Sequence, residues 1–244
     1  MRRWTPRPDA AFRVISFPFA GGSASAFLPW SRRWDGAIEV CAVEYPGRGT
    51  RAGEPLCATA EALVADLAPA LAAYLDKPFA VLGYSVGAVV AFEWIRRLEA
   101  ANARQPVGLF VCAHRAPHEA AHRPPLTGLG DRAFLAAVQA RYGGIPDAIL
   151  DEPELVAMML PSLRADLRIS EAYQLRETAA LACPIHAFGG ELDHAVSRDA
   201  LAGWAAHTRG AFELDVVRAE HFFLDRHQAE LGAAVLRRLR AHDS

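Results

Sequence analysis

A serine between two glycines is the first feature of this sequence that could carry out covalent chemistry. Residues 83–87 read G-Y-S-V-G and lie between an apolar run typical of a strand and a segment typical of a helix. So tight a strand-to-helix turn leaves no room for side chains two residues either side of Ser85, which explains the glycines. At the start of a helix, free backbone N–H groups also stabilise negative charge that develops near the serine. The pattern therefore predicts Ser85 as a nucleophile, although a bare G-x-S-x-G can also be a glycine turn without chemistry.

A nucleophilic serine needs a base, and His221 has the most suitable position among the nine histidines. It follows the predicted strand Phe212–Val217 through a short loop, and enzymes with this serine turn order their triad as serine, acid, histidine. A second cluster, His114, His118 and His122, has a four-residue spacing that would suit one face of a helix and could bind a metal. Because that cluster precedes every plausible acid, we favour His221 as the base.

The acid that orients the histidine is expected in the turn G-G-E-L-D-H, just after the predicted strand Ile185–Phe188. A carboxylate there would hold the imidazole in the productive tautomer and stabilise its cationic form. Asp193 fits because it lies deeper in the turn, directly ahead of the start of a predicted helix. Glu191 is the rival acid, and His194 is a neighbouring rival base.

An oxyanion hole is predicted where residues 17–23, F-P-F-A-G-G-S, follow the first predicted strand. The small residues let a backbone N–H group approach the substrate closely. Either Phe19 or Ala20 is expected to supply this donor, and the N–H of Val86, next to the nucleophile, to supply the second. The alternative is a glycine-rich turn that binds nothing.

Strands and helices alternate through most of the chain, and they must bring these loops together. The predicted strands are Phe12–Phe17, Ile38–Val43, Phe79–Leu82, Val107–Ala113, Ile185–Phe188 and Phe212–Val217. The predicted helices between and after them are Thr59–Leu75, Val86–Asn102 and Gln228–His242. This alternation predicts an α/β protein, a mostly parallel sheet with helices on both faces. Together with the serine turn it indicates the α/β-hydrolase fold.

The middle of the chain has a different pattern. Residues 114–181 show no strand signal, and their helical patterns lie near Arg132–Tyr142, Glu152–Leu160 and Leu163–Leu175. We therefore predict a helical lid insertion at about 114–181, within one domain that spans residues 1–244.

The composition argues against several classes of protein. With 26 basic and 28 acidic residues the net charge is −2, so no overall electrostatic footprint for nucleic acid or an anionic membrane is present. The four cysteines are scattered without a C-x-x-C pair, which predicts neither a metal site nor a disulfide framework. No apolar stretch is long enough to span a membrane, and the first one is short and broken by Pro18. We expect a cytoplasmic protein.

Several segments together resemble the type II thioesterases that accompany polyketide and non-ribosomal peptide synthases. Besides the serine turn and the oxyanion segment, they are E-Y-P-G-R-G-T-R at residues 44–51, L-P-S-L-R-A-D at 160–166, G-G-E-L-D-H-A-V at 189–196 and E-H-F-F-L at 220–224. The resemblance extends from about Phe12 to Leu224 and is far more specific than the serine turn alone. Tyr84 and Phe19 stand where histidine is frequent in that family, and His194 where proline is common, which affects expected substrate preference but no triad member.

The resemblance implies hydrolysis of acyl or aminoacyl thioesters held on the phosphopantetheine arm of carrier proteins. The usual role is editing, in which stalled or misprimed groups are removed through an acyl-serine intermediate, without metal or organic cofactor. Acyl or peptidyl carrier domains of a synthase are then the expected partners, and we expect a monomer. The rivals are a carboxylesterase or lipase on free small molecules, a product-releasing acyltransferase or cyclase, and an inactive scaffold.

Two further expectations concern substrate and partner contacts. We expect the lid to cover the nucleophile and to form an apolar channel with Met158, Met159 and Leu163, since methionine adapts to varied shapes. These three could instead only pack the lid against the core. Because carrier domains expose an acidic helix, we also expect a basic rim, formed by Arg48, Arg51, Arg115 and Arg123. The alternative is that these arginines are solvated or paired internally.

Overall fold

One parallel sheet organises the described part of this protein. A computed structural model describes residues 1–3, 6–34, 36, 38–120, 123–176, 180–224 and 226–242. The strands are β1 (Phe12–Phe17), β2 (Ile38–Ala42), β3 (Phe79–Tyr84), β4 (Leu109–Cys112), β5 (Ile185–Gly190) and β6 (Phe212–Val217). Their order across the sheet is β2-β1-β3-β4-β5-β6, and each neighbouring pair is parallel. The predicted α/β fold is confirmed, and all carboxyl ends of the strands lie at one edge.

The helices that cover this sheet follow from the alternation in the chain. They are α1 (Leu28–Arg33), α2 (Ala60–Ala72), α3 (Val86–Ala100), α4 (Asp131–Tyr142), α5 (Asp147–Leu150), α6 (Pro153–Ala172), α7 (Arg198–Ala202) and α8 (Gln228–His242). No helix among the described residues is both long enough and apolar enough to cross a membrane.

Each face of the sheet has its own apolar core. Ile15 of β1 packs in a core with α2 and α3, whereas its neighbour Val14 packs in a second core that includes Trp30 of α1 and Leu231 of α8. Successive strand residues point to opposite faces, so a strand covered by helices on both sides is buried along its length and is predominantly apolar. The strands β1 to β5 are accordingly buried along their whole length, and only the edge strand β6 is partly exposed.

Helices α4, α5 and α6 lie in the chain between β4 and β5, within the predicted lid segment. They share a small core that includes Phe134, Leu163 and Leu167. The two helices expected on either side of Pro161 are instead the single helix α6. Proline lacks a backbone donor and disfavours the interior of a helix, but here the burial of Leu163 and Leu167 outweighs that cost. The short helix α5 was not predicted.

Candidate active site

The turn between β3 and α3 holds Ser85 in a backbone conformation that residues other than glycine rarely adopt. Its φ is 52° and its ψ is −123°, in the left-handed half of backbone space. A Cβ at Gly83 would lie 2.4 Å from the Gly87 carbonyl oxygen, and a Cβ at Gly87 would lie 2.3 Å from the Phe17 carbonyl oxygen. The two glycines are therefore required by close backbone approach on either side of the serine.

The structure brings Ser85, His221 and Asp193 into one hydrogen-bonded chain. His221 Nε2 lies 3.2 Å from Ser85 Oγ, and His221 Nδ1 lies 2.8 Å from Asp193 Oδ2. The other carboxylate oxygen accepts from the backbone N–H groups of Ala195 at 2.7 Å and Val196 at 3.2 Å. An ionised Asp193 beside Nδ1 favours the tautomer with its proton there, which leaves Nε2 to accept the serine proton.

The rivals for these positions lie elsewhere. Asp193 and His221 are buried, whereas Glu191 is exposed although it is only two residues from Asp193. His194 is exposed too, and it lines a different hollow from the one that Ser85 lines. The three side chains meet because β3, β5 and β6 all end at the same edge of the sheet.

Tyr84, the residue before the nucleophile, ties the serine turn to the histidine loop. Its hydroxyl donates to the His221 carbonyl oxygen at 2.6 Å and accepts from the Phe223 N–H at 2.9 Å. Burial raises the pKa of Tyr84 well above its usual value, so the hydroxyl keeps its proton. The sequence marked Tyr84 only as a departure from a family pattern and gave no signal of this contact.

The predicted oxyanion segment borders the nucleophile. Phe19 and Ala20 line the same cavity as Ser85. The next two backbone N–H groups are already used, because Gly21 donates to Asp166 Oδ2 at 2.8 Å and Gly22 to the Phe19 carbonyl at 2.9 Å.

Within the described ranges, the N–H groups of Phe19, Ala20 and Val86 donate to no acceptor of the protein. That leaves them for a substrate oxygen. Val86 is the first residue of α3, where helical N–H groups have no partner within the helix. The choice between Phe19 and Ala20 stays a prediction.

A buried ion pair connects this segment to the lid. Arg48 contacts both carboxylate oxygens of Asp166 in α6, with Nη2 at 2.8 Å from Oδ1, and donates to the Gly22 carbonyl at 3.1 Å. Arg48 is 8% exposed and Asp166 is 3% exposed. The prediction that Arg48 belongs to an exposed rim is therefore wrong. Its guanidinium turns inward because a carboxylate 118 residues away in the chain meets it there.

The other three predicted rim arginines have different surroundings. Arg51 contacts the carboxylates of Glu54 and Asp66, so it is an internally paired residue and the rim prediction is wrong for it too. Arg115 and Arg123 donate to backbone carbonyls, and both line a hollow that Tyr142 and His194 also line. Among the described residues, the four arginines thus separate into two that form ion pairs and two that no carboxylate contacts.

An apolar cavity of about 180 Å³ lies over Ser85. Residues of the predicted lid segment line it, among them Met159 and Leu163 of α6. Met158 does not line it and is 77% exposed, so its predicted place in the channel is wrong. Successive helical residues are rotated by roughly 100° around the axis, so Met158 and Met159 cannot both face the cavity.

His114 and His118, which follow β4, do not lie on a helix. His114 is buried with Nε2 at 3.0 Å from Ser170 Oγ, and burial lowers its pKa to about 3. His118 Nδ1 lies 2.6 Å from His207 Nε2, and His122 is outside the described residues. No group of three or more metal-ligating side chains is found in the part of the chain that the structure describes.

Known proteins resemble this chain over nearly its whole length. The model of the thioesterase domain family matches residues 12–241. Thioesterase PikA5 of Streptomyces venezuelae is 38% identical over 226 residues, which is 92% of this chain and 80% of that protein. Gramicidin S biosynthesis protein GrsT of Aneurinibacillus migulanus is 33% identical, covering 95% of this chain and 90% of the relative. The structure of the type II thioesterase BorB from the borrelidin biosynthetic cluster superposes with a TM-score of 0.86 at 33% identity, covering 98% and 95% of the two chains.

Proposed function

This chain belongs to the thioesterase family and is a thioester hydrolase of the serine type, and on that premise we propose that it hydrolyses acyl groups carried on the phosphopantetheine arm of carrier proteins. The relatives named for antibiotic biosynthesis support a partner of this kind, since such pathways build their products on carrier-bound thioesters. The proposed role is editing, in which stalled or wrongly primed groups are released so that synthesis resumes.

The hydrogen-bonded chain of Ser85, His221 and Asp193 beneath an apolar cavity supports this proposal most directly. Ser85 Oγ attacks the thioester carbonyl carbon while His221 Nε2 takes the serine proton. Asp193 keeps the imidazole oriented and stabilises its positive charge. The tetrahedral oxyanion receives hydrogen bonds from the N–H of Val86 and from that of Phe19 or Ala20. His221 then gives its proton to the departing pantetheine sulfur, which leaves as a thiol.

Deacylation uses the same groups with water in place of the serine. His221 takes a proton from a water molecule as the water oxygen attacks the acyl-serine carbonyl. The second oxyanion collapses, the bond to Ser85 Oγ breaks, and His221 returns the proton to the serine. The products are a free carboxylic acid and the unmodified enzyme, and the proposed steps use neither a metal nor an organic cofactor.

The size of the cavity favours short acyl groups. An apolar cavity of about 150 Å³ takes up benzene, so a volume of about 180 Å³ accommodates roughly six to eight non-hydrogen atoms. Small acyl groups of this size are what an editing enzyme would remove from wrongly primed carriers. A longer growing chain would have to displace lid residues such as Met159.

The proposal is tested with an acyl carrier thioester and the matching oxygen ester. We expect the thioester to be hydrolysed with the higher kcat/KM, and Ser85→Ala to abolish turnover while the fold is retained. Asp193→Asn should lower kcat by about 10⁴-fold, because the wrong imidazole tautomer is then favoured. Glu191→Gln is the matched control, since Glu191 is an exposed carboxylate in the same turn. Preference for the oxygen ester would favour a carboxylesterase. A larger loss of kcat in Glu191→Gln than in Asp193→Asn would show that Glu191, and not Asp193, is the acid of the triad.

A further inference from the structure

A second hollow, of about 230 Å³, lies beside the cavity over the nucleophile. Three arginines line it: Arg115 from the loop after β4, Arg123 from the segment before α4, and Arg141 from the last turn of α4. Tyr142 lines both hollows, and its ring centroid is 5.0 Å from that of His221. A group bound among the arginines would therefore be separated from the catalytic side chains by little more than one aromatic side chain.

The three guanidinium groups are held by neutral partners. Arg115 donates to the carbonyls of Glu119 and Ser170, each at 3.0 Å, and Arg141 donates to that of Pro124 at 3.0 Å. Arg123 donates to the His194 carbonyl at 2.5 Å. These bonds orient the side chains without neutralising their charge.

Within the described ranges, no carboxylate forms an ion pair with any of these three arginines. The surroundings of Arg48 and Arg51 differ, since both contact carboxylates. One acidic side chain, Glu171, does line the hollow. Its carboxylate is occupied, since it accepts from the N–H of Leu126 at 2.6 Å and from the N–H and hydroxyl of Thr127. Glu119 also acts on Arg115 through its charge, without an ion-pair contact. Three positive charges therefore outnumber the two nearby carboxylates, of which Glu171 is already hydrogen-bonded, and the hollow has a net positive charge.

Each guanidinium has five N–H donors in a planar fork, of which the carbonyl contacts use one or two. The remaining donors suit an oxyanion with several acceptor oxygens, and the arginine fork matches phosphate geometry. Burial lowers the pKa of Arg115, so an anion placed there would also offset its desolvation.

We infer that this arginine hollow, lined by Arg115, Arg123 and Arg141, binds the phosphate of the phosphopantetheine arm while the thioester lies over Ser85. The inference rests on the proposed function, because it is the carrier-bound substrate that contains such a phosphate. The arm from sulfur to phosphorus is as long as four to five extended residues, roughly 15 Å, so it can pass Tyr142 between the two hollows. The phosphate is common to every acyl substrate, so the hollow would anchor the arm whatever acyl group it bears.

The test uses two small substrates with one acyl group, butyryl-pantetheine and butyryl-4′-phosphopantetheine, which differ only in the phosphate. We expect the intact chain to hydrolyse the phosphorylated substrate with a kcat/KM at least about 10-fold higher, the worth of one charge-assisted hydrogen bond. The double variant Arg123→Gln with Arg141→Gln should bring the ratio of the two kcat/KM values toward one. Because a ratio is measured, partial loss of folded protein does not affect the outcome.

Two further variants sharpen the result. Arg123→Lys with Arg141→Lys keeps the charge without the fork and should keep part of the preference. Arg237→Gln removes an exposed arginine that pairs with Glu213 of the edge strand β6, and it should leave the ratio at the wild-type value. If Arg237→Gln also lowered the ratio of the two kcat/KM values, the preference for the phosphorylated substrate would come from the overall charge of the protein, and the proposed phosphate site would be overturned.

The remaining outcomes separate this inference from the proposed function. Equal efficiency of the wild type on both substrates, with efficient thioester hydrolysis, would overturn the phosphate site and leave the hydrolase intact. An arginine effect seen only with a whole carrier protein would also overturn it, in favour of contacts with acidic side chains of that protein. If neither thioester is hydrolysed while the matching oxygen ester is, the proposed function itself fails.

Discussion

Removal of one charge from the buried pair of Arg48 and Asp166 should damage both stability and catalysis. Asp166 lies in the lid helix α6, yet it accepts from the N–H of Gly21, next to the oxyanion segment. The substitution Asp166→Asn keeps the shape of the side chain and removes the negative charge. It leaves Arg48, which is 8% exposed, without an ionised partner.

The expected cost follows from this burial. Loss of one partner from a buried ion pair costs about 3–5 kcal/mol, and we expect about 3 kcal/mol because the asparagine can still accept one hydrogen bond. For a chain of this length each kcal/mol lowers Tm by about 2–4 °C, so the drop should be roughly 6–12 °C. A weaker hydrogen bond from the Gly21 N–H should also displace the oxyanion segment. Since a misplacement of about 1 Å can lower the rate by about 10²-fold, kcat should fall by about 10- to 100-fold.

The assay combines urea unfolding with kcat and KM for a butyryl thioester. Asp131→Asn is the matched control, because Asp131 pairs with Arg164 in the same lid but is 73% exposed. Exposed pairs contribute about 0–1 kcal/mol, so this control should unfold almost like the wild type. The double variant Arg48→Met with Asp166→Leu should recover stability, since apolar side chains can replace a buried pair. It should not recover kcat, because leucine offers no acceptor to the Gly21 N–H. A loss below 1 kcal/mol in Asp166→Asn, with unchanged kcat, would refute the reasoning.

Three other substitutions test separate features of the site. Tyr84→Phe leaves the His221 carbonyl and a buried N–H without their partner, at about 1–3 kcal/mol each; kcat should fall while KM changes little, and an unchanged kcat would exclude a positioning role. Burial lowers the pKa of His114 to about 3. Below about pH 6.5 the unfolded chain therefore binds a proton at this histidine that the folded chain does not bind, so the free energy of unfolding decreases as the pH falls. His114→Gln should therefore lose about 2 kcal/mol less than the wild type between pH 6.5 and 5 in urea unfolding, and parallel losses would contradict this. Leu163→Trp should shift hydrolysis toward shorter acyl chains, whereas Met158→Trp at an exposed site should not; equal shifts in a chain-length series would argue against the cavity.

The sequence alone predicted the fold class and the three residues that the structure brings together at Ser85. Both depend on local patterns. Apolar runs separated by helices indicate a parallel sheet, and the carboxyl ends of parallel strands meet at one edge, so loops far apart in the chain become neighbours. The need for Gly83 was also explained locally, because the close approach that requires it occurs within the turn itself, whereas Gly87 is required by contact with Phe17 of β1, which the turn alone does not predict.

Tertiary structure decided the properties that depend on which way a side chain points and what it meets. Asp193 and Glu191 are two residues apart, but one is buried against His221 and the other is exposed. Arg48 was predicted on a rim, because its partner Asp166 is 118 residues away and no local pattern joins the two. Met158 and Met159 are neighbours on one helix and point in different directions around its axis. Only the packing of the folded chain shows that Met158 is the exposed one. Spacing along the chain determines which loops meet, whereas burial and charge pairing are set by all the elements that pack around a residue.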